Sequence, residues 1–203
     1  MSDASLAVSY ARKTARHDFF VGVPAGGVSH VHLPDDAAKA HLVTAVLKAK
    51  CEPGEELELF GEPVAQLKPA ARERMRRRVA ALSPIIGLVT NLNAWENISL
   101  TAAYYGAPPL ERVARVTHEV LESFGIEAHS FLASLPDDLG MLERKIVAFV
   151  RMLIAEPDLA IIDALEEGLS RAERARVSAF EAQFRVRLPS GTLVFVDSQE
   201  EDS

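Results

Sequence analysis

Short, continuously apolar runs alternate along this chain with longer stretches whose apolar residues recur every three or four positions. LAIID at 159–163 and TLVFVD at 192–197 are of the first kind and predict buried strands. IIGLV at 85–89 is compact and apolar, and the same reasoning predicts a strand there. SLAVSYARK, 5–13, alternates weakly and suits an edge strand. FFVGVPAGGVSHVHL, 19–33, reads as strand, Pro-Ala-Gly-Gly turn and strand, and LELFG at 57–61 as a short strand. The second kind begins with AAKAHLVTAVLKAK, 37–50, whose apolar positions 38, 42, 43, 46 and 47 form one helical stripe, stopped by Pro53-Gly54. A basic helix is predicted over 68–82, starting near Pro69. Two more, 92–106 and 110–126, are joined through Gly106 and Pro108-Pro109. A long helix over 139–157 ends at Pro157, and a charged one covers 171–187.

Strands at 28–33, 85–89, 159–163 and 192–196 therefore alternate with helices. Continuous apolar strands of this kind belong in a parallel sheet covered on both faces. The expected fold class is α/β, a mostly parallel core with an antiparallel N-terminal β region. Residues 93–138 hold helices only and form an inserted helical subdomain. Residues 1–92 and 139–203 form the α/β core of a single domain, 1–203.

Composition narrows the class. The chain has 203 residues, 48% hydrophobic and 25% charged, which suits one sizeable core. Its net charge of −7 gives no reason to expect nucleic acid. One cysteine, Cys51, offers neither a disulfide framework nor a metal cluster. No secretory segment and no run of 18 apolar residues is present, so a cytoplasmic protein without a membrane span is expected. Five arginines, Arg72, Arg74, Arg76, Arg77 and Arg78, mark the basic helix; Glu73 interrupts them, and a solvated helix face is the plain reading.

Four segments carry a resemblance to a known family: VGVPAGGVSHVHLPDD, LELFGEPV, LNAWENISLTAAYYG and RMLIAEPDLAIIDALEEGL. In order and spacing they resemble the nucleotide-binding domain of an ABC transporter, the ATPase subunit with a P-loop NTPase-like fold, in degenerate form. In wording the chain is nearest to the ATPases of bacterial MCE/Mla-type lipid transporters.

The resemblance implies a site, and this sequence departs from it at nearly every point. The phosphate loop falls on LPDDAAKA, 33–40. Leu33 and Ala38 replace its glycines, Ala40 its magnesium-binding hydroxyl, and only Lys39 remains. Lys39 is read either as the remaining phosphate lysine or as a helix-surface residue. Asp35 and Asp36 put negative charge where triphosphate would lie, and suit instead the start of a helix. Tyr10 lies where an aromatic stacks on adenine; packing in the sheet is its plainer role. The glutamine that follows the next strand is missing, together with several residues after IIGLV, and Thr90 or Asn91 comes nearest to it. The signature falls on LGMLE, 139–143, where Met141 and Leu142 replace a glycine pair and Asp137 or Asp138 is expected to cap the helix. Asp163 takes the place of the metal-organising carboxylate at a strand end. Ala164 replaces the catalytic acid beside it, with Glu166 further on. Gly168-Leu169 remain, and Ser170 replaces the next aspartate. Ser198 stands where the switch histidine belongs, and the chain ends at Ser203 before the family's further C-terminal elements. The six histidines are His17, His30, His32, His41, His118 and His129. His30 and His32 share a strand face, but no third ligand accompanies them.

The implied function is a noncatalytic, pseudo-ATPase ABC-type subunit. It binds and supports a membrane transporter complex or a partner ATPase, at the inner face of the membrane. No catalytic residue, metal or cofactor is expected. Its partners are a transporter membrane subunit, an active ATPase paralogue or a second copy of itself. Trp95, Tyr104, Tyr105, Met141 and Leu142 are the expected partner interface. Two alternatives stand beside it. One is an atypical ATPase with weak ATP and Mg²⁺ binding through Lys39, Asp163 and Tyr10, helped by Glu166. The other is a stand-alone binding or regulatory protein.

Overall fold

The computed structural model describes residues 6–13, 18–106 and 108–198. The chain divides into two compact units, Met1–Ile85 with Pro157–Ala164 and Pro189–Ser203, and Ile86–Glu156 with Leu165–Leu188.

All the described strands lie in the first unit. β1 (Leu6–Lys13), β2 (Asp18–Pro24), β4 (Glu55–Leu59) and β5 (Glu62–Pro63) form an antiparallel sheet in the order β2-β1-β4-β5. β3 (Gly27–Leu33), β6 (Val79–Leu82), β7 (Leu159–Asp163) and β8 (Thr192–Ser198) form a parallel sheet in the order β3-β8-β7-β6. β7 and most of β8 are buried, as their unbroken apolar sequence requires. α1 (Asp36–Lys48) packs against β3, β6 and β8 and also reaches β4. Its stripe of Ala38, Leu42, Val43, Ala45 and Val46 is buried. It closes on Ala49 in the left-handed region, with Lys50 N–H returning to Ala45 O. Gly54 has φ of +86°, and a Cβ there would lie 2.9 Å from Lys13 O, so this turn needs glycine.

The third parallel strand differs from expectation. α2 spans Pro69–Arg77, and the chain then extends as β6 at Val79–Leu82, opposite Leu159–Ile162. Arg78 supports the change, its O accepting from Leu159 N–H and its guanidinium lying 2.6 Å from Asp158. Residues 85–89 are irregular, and Ile85 is 50% exposed. Pro84 interrupts the backbone donors there, and Gly87 adds conformational freedom. The strand therefore lies six residues before the apolar run that suggested it.

The described elements of the second unit are helical: α3 (Ala94–Tyr105), α4 (Leu110–Ser123), α5 (Ala128–Ala133), α6 (Met141–Ile154), α7 (Arg171–Arg174) and α8 (Ser178–Arg187). The long helix α6 belongs here rather than with the sheets, and so do residues 165–188. The helical unit is thus wider than 93–138. α6 buries nine of its residues and packs against α3, α4 and α8, so its contacts bind it to helices. Phe180 meets both Phe124 and Phe149 edge to face at its centre. The charged helix expected over 171–187 is broken between α7 and α8. Among the described residues no helix is long and apolar enough to cross a membrane.

Candidate functional site

Four separate segments of the first unit bring polar side chains together at the ends of the parallel strands. Asp163 closes β7, Ser83 follows β6, Ser198 closes β8, and Asp36 and Lys39 lie on the first turn of α1. Asp163 is 3% exposed. Its Oδ2 accepts a 2.6 Å hydrogen bond from the buried Ser83 hydroxyl. Its Oδ1 lies 3.4 Å from Lys39 Nζ, an ion pair without a well-aligned hydrogen bond. Lys39 Nζ is also 3.1 Å from Asp36 Oδ1, and that same oxygen accepts a 2.6 Å hydrogen bond from Ser198 Oγ.

The charges answer one another. Burial pulls the Lys39 ammonium down. Its hydrogen bond to the Asp36 carboxylate and the charges of Asp163 and Asp36 outweigh it and hold Lys39 above the ordinary lysine value. The Ser198 hydroxyl, and then Lys39, hold the Asp36 carboxyl below the ordinary aspartate value. One cation therefore sits between two carboxylates of the same chain.

The backbone at this point is helical from Asp36 onward. Asp35 is the N-cap, its Oδ1 accepting a 2.7 Å bond from Ala38 N–H, and Lys39 N–H bonds Asp35 O. The stretch 33–40 is thus a capped helix start, as the capping role of the aspartates anticipates. Lys39 is not a plain surface residue, because its side chain is 13% exposed and doubly paired.

A 149-residue stretch is 26% identical to the methionine import ATP-binding protein MetN of Caulobacter vibrioides, covering 73% of this chain and 44% of that protein. The chain thus spans less than half the length of that curated relative. The structure of cbiO1 from Clostridium perfringens, part of the ABC transporter complex cbiONQ, superposes with a TM-score of 0.73 at 13% identity, over 96% of this chain and 79% of that one. The ATP-binding cassette MJ0796, in a dimeric post-hydrolysis state bound to ADP and Pi, gives 0.69 at 18% identity, over 95% and 86%. The chain has the fold of an ABC-transporter nucleotide-binding domain. No family model matches it. None of the three names mentions lipid transport, so the MCE/Mla likeness gains no support from them.

Set on the ABC fold, several expectations change. With β6 at 79–82, the residue after the strand is Ser83. Residues 83–93 connect β6 to α3. Thr90 and Asn91 are exposed in that loop. Tyr10 is no adenine platform: it is fully buried, its hydroxyl donates to Glu55 Oε1 at 2.9 Å, and its ring tilts against Phe19. Burial and then the Glu55 hydrogen bond raise its pKa. Glu55 also accepts from Glu52 N–H and lies near Arg12 and His41, a network that no sequence spacing announces. His30 stacks on Phe195, and no group of three metal-type ligands occurs among the described residues. His17 lies outside them.

In the helical unit, Gly140 is the N-cap of α6 and Glu143 accepts its N–H, so neither Asp137 nor Asp138 caps that helix; both lie in a preceding single turn. Leu142 is 2% exposed and cannot be an interface residue. Met141 is exposed and its thioether lies where a Cβ on Gly168 would meet it. Ser170 caps α7 through a reciprocal pair with Glu173. Glu166 is exposed, its carboxylate 3.9 Å from Arg174. Trp95 is half-buried, whereas Tyr104 is 79% exposed and meets Tyr105 edge to face.

Asn97 is a residue the sequence reading passed over. Its buried side chain accepts from Val89 N–H and donates to the carbonyls of Val89, Leu92 and Asn93. Glu96 beside it completes a capping box with Asn93. Arg151 donates to the carbonyls of Ile86 and Gly87. The adjacent Glu and Asn of LNAWEN thus cap α3 and pin the loop before it.

Proposed function

We propose that this chain is a noncatalytic ABC-type subunit that binds and supports a membrane transporter complex or a partner ATPase. The observation that carries the reading is the closed cluster at Lys39. A triphosphate needs cationic and amide donors that are free to receive it. Here the ammonium faces Asp36 and Asp163, and the Ala38 amide is held by Asp35. These residues do not fit a magnesium-bound triphosphate. Ala40 has no hydroxyl for the metal, and Ala164, next after Asp163, has no carboxylate to orient a water. Added phosphate charge would meet two carboxylates, the solvent-facing Asp36 and the buried Asp163, whose charge water screens little.

The second unit supplies the surface for partners. Tyr104 and Tyr105 stand out from the end of α3, with Leu100 and Leu110 exposed as well. Exposed aromatics paired in this way are suitable anchors for a protein interface. Its partner on this reading is a transporter membrane subunit, which brings the chain to the inner face of the membrane. The likeness to a methionine import protein supports the transporter context but leaves the cargo open.

A second reading has its own observation. Lys39 and Asp163 stay within 3.4 Å, and MetN is named as ATP-binding. On that reading the chain is an atypical ATPase. Purification from native membranes tests the first reading: co-purification of a permease or a second ATPase supports it, and recovery as a self-assembly alone counts against it. Turnover of Mg-ATP that Lys39→Ala abolishes supports the second.

A further inference from the structure

We propose that Asp36 is an autoinhibitory latch: an internal anion that holds Lys39 and Ser198 and keeps phosphate-type oxyanions off the start of α1. The inference rests on the noncatalytic reading and names what closes the site. Asp36 Oδ1 lies 3.1 Å from Lys39 Nζ and 2.6 Å from Ser198 Oγ. A phosphate oxygen at that point would use the same two donors, one ammonium and one hydroxyl. The carboxylate therefore satisfies the site as a bound anion would, at no cost in translational freedom, because it is part of the chain.

The two aspartates divide the task. Asp35 takes the Ala38 amide and caps the helix, and Asp36 takes the side-chain donors. Asp163, by contrast, is buried and anchored by Ser83, so it stays when the latch is removed. The Asp36 side chain is 83% exposed and supports no buried packing. Its removal frees Lys39 on the solvent side while leaving one buried counter-charge behind. A single substitution thus separates a masked site from a destroyed one.

Titration of inorganic tripolyphosphate into the full chain by calorimetry reads the latch directly. Asp36→Ala is expected to bind it roughly tenfold tighter than the wild type, or better, because a competing charge-assisted contact is gone. Ser198→Ala, which loosens Asp36 without touching Lys39, is expected to give a smaller gain. Adding Lys39→Ala to Asp36→Ala should remove the gain, which ties it to that ammonium. Unchanged affinity in a folded Asp36→Ala chain overturns the latch. Should that variant not fold, Ser198→Ala decides, and the absence of any gain there overturns it equally. Two failures stay distinct: Mg-ATP turnover by the wild type sinks the noncatalytic reading, whereas silence in wild type and variants alike sinks only the latch.

Discussion

Ser198 and Asp36, 162 positions apart in sequence, are joined by a 2.6 Å hydrogen bond from hydroxyl to carboxylate. The bond ties the end of β8 to the first turn of α1. With Lys39 it joins two segments of the parallel core, β8 and α1, and through Asp163 and Ser83 it extends to the ends of two more strands.

That link sets a pH dependence. The Asp36 carboxyl is held below its ordinary value, by Ser198 first and Lys39 next. A depressed carboxylate adds stability that is present above its unfolded pKa, about 3.9. That contribution is lost as pH falls through the lower folded value. Asp36→Asn should therefore melt lower than wild type near neutrality, and the difference should shrink toward zero under acid. Scanning calorimetry across the acid range checks the sign. Exposure of the carboxylate keeps the effect small.

Asn97→Ala should destabilise the helical unit by about 3 kcal/mol, since a buried amide with several partners leaves backbone groups unsatisfied. Its partners all lie at Val89, Leu92 and Asn93, so hydrogen exchange should rise first in that loop. Urea unfolding with exchange mass spectrometry measures both.

Tyr10→Phe removes one bond to Glu55 and keeps the ring, so a loss of about 1 kcal/mol is expected in urea unfolding. Glu55 retains Glu52 N–H, Arg12 and His41. Adenine-nucleotide affinity, whatever its wild-type size, should not change, because the ring is buried within its sheet.

Tyr104→Ser should leave stability within about 0.5 kcal/mol of wild type, as an exposed position allows. Recovery of the partner from native membranes should fall. A variant that unfolds the chain but keeps its partner would reverse both expectations.

The stripe at 38, 42, 43 and 46 and the apolar run 159–163 were legible because burial alone decides them. β6 was not. VAAL follows an arginine-rich helix and is itself made of helix-compatible residues, while IIGLV downstream is more apolar yet flanked by Pro84. Only pairing to Leu159–Ile162 selects the strand, and that information is long-range. The carboxylates of LPDDAAKA could be read as helix capping because Asp35 bonds locally, three residues on. The Ser198–Asp36 and Ser83–Asp163 hydrogen bonds span 162 and 80 residues and have no spacing signature. Leu142 differs from its expected interface role for a related reason, whereas Tyr10 takes the packing role that was its plainer reading. Position in an element does not reveal which face meets the core.

The central claim is that the cluster at Lys39 runs no ATP hydrolysis. Calorimetric titration of Mg-ATP into the wild-type chain, paired with phosphate release, tests it most directly. The account predicts dissociation weaker than about 1 mM and no release above buffer. Tight binding with turnover that disappears in Lys39→Ala would contradict it.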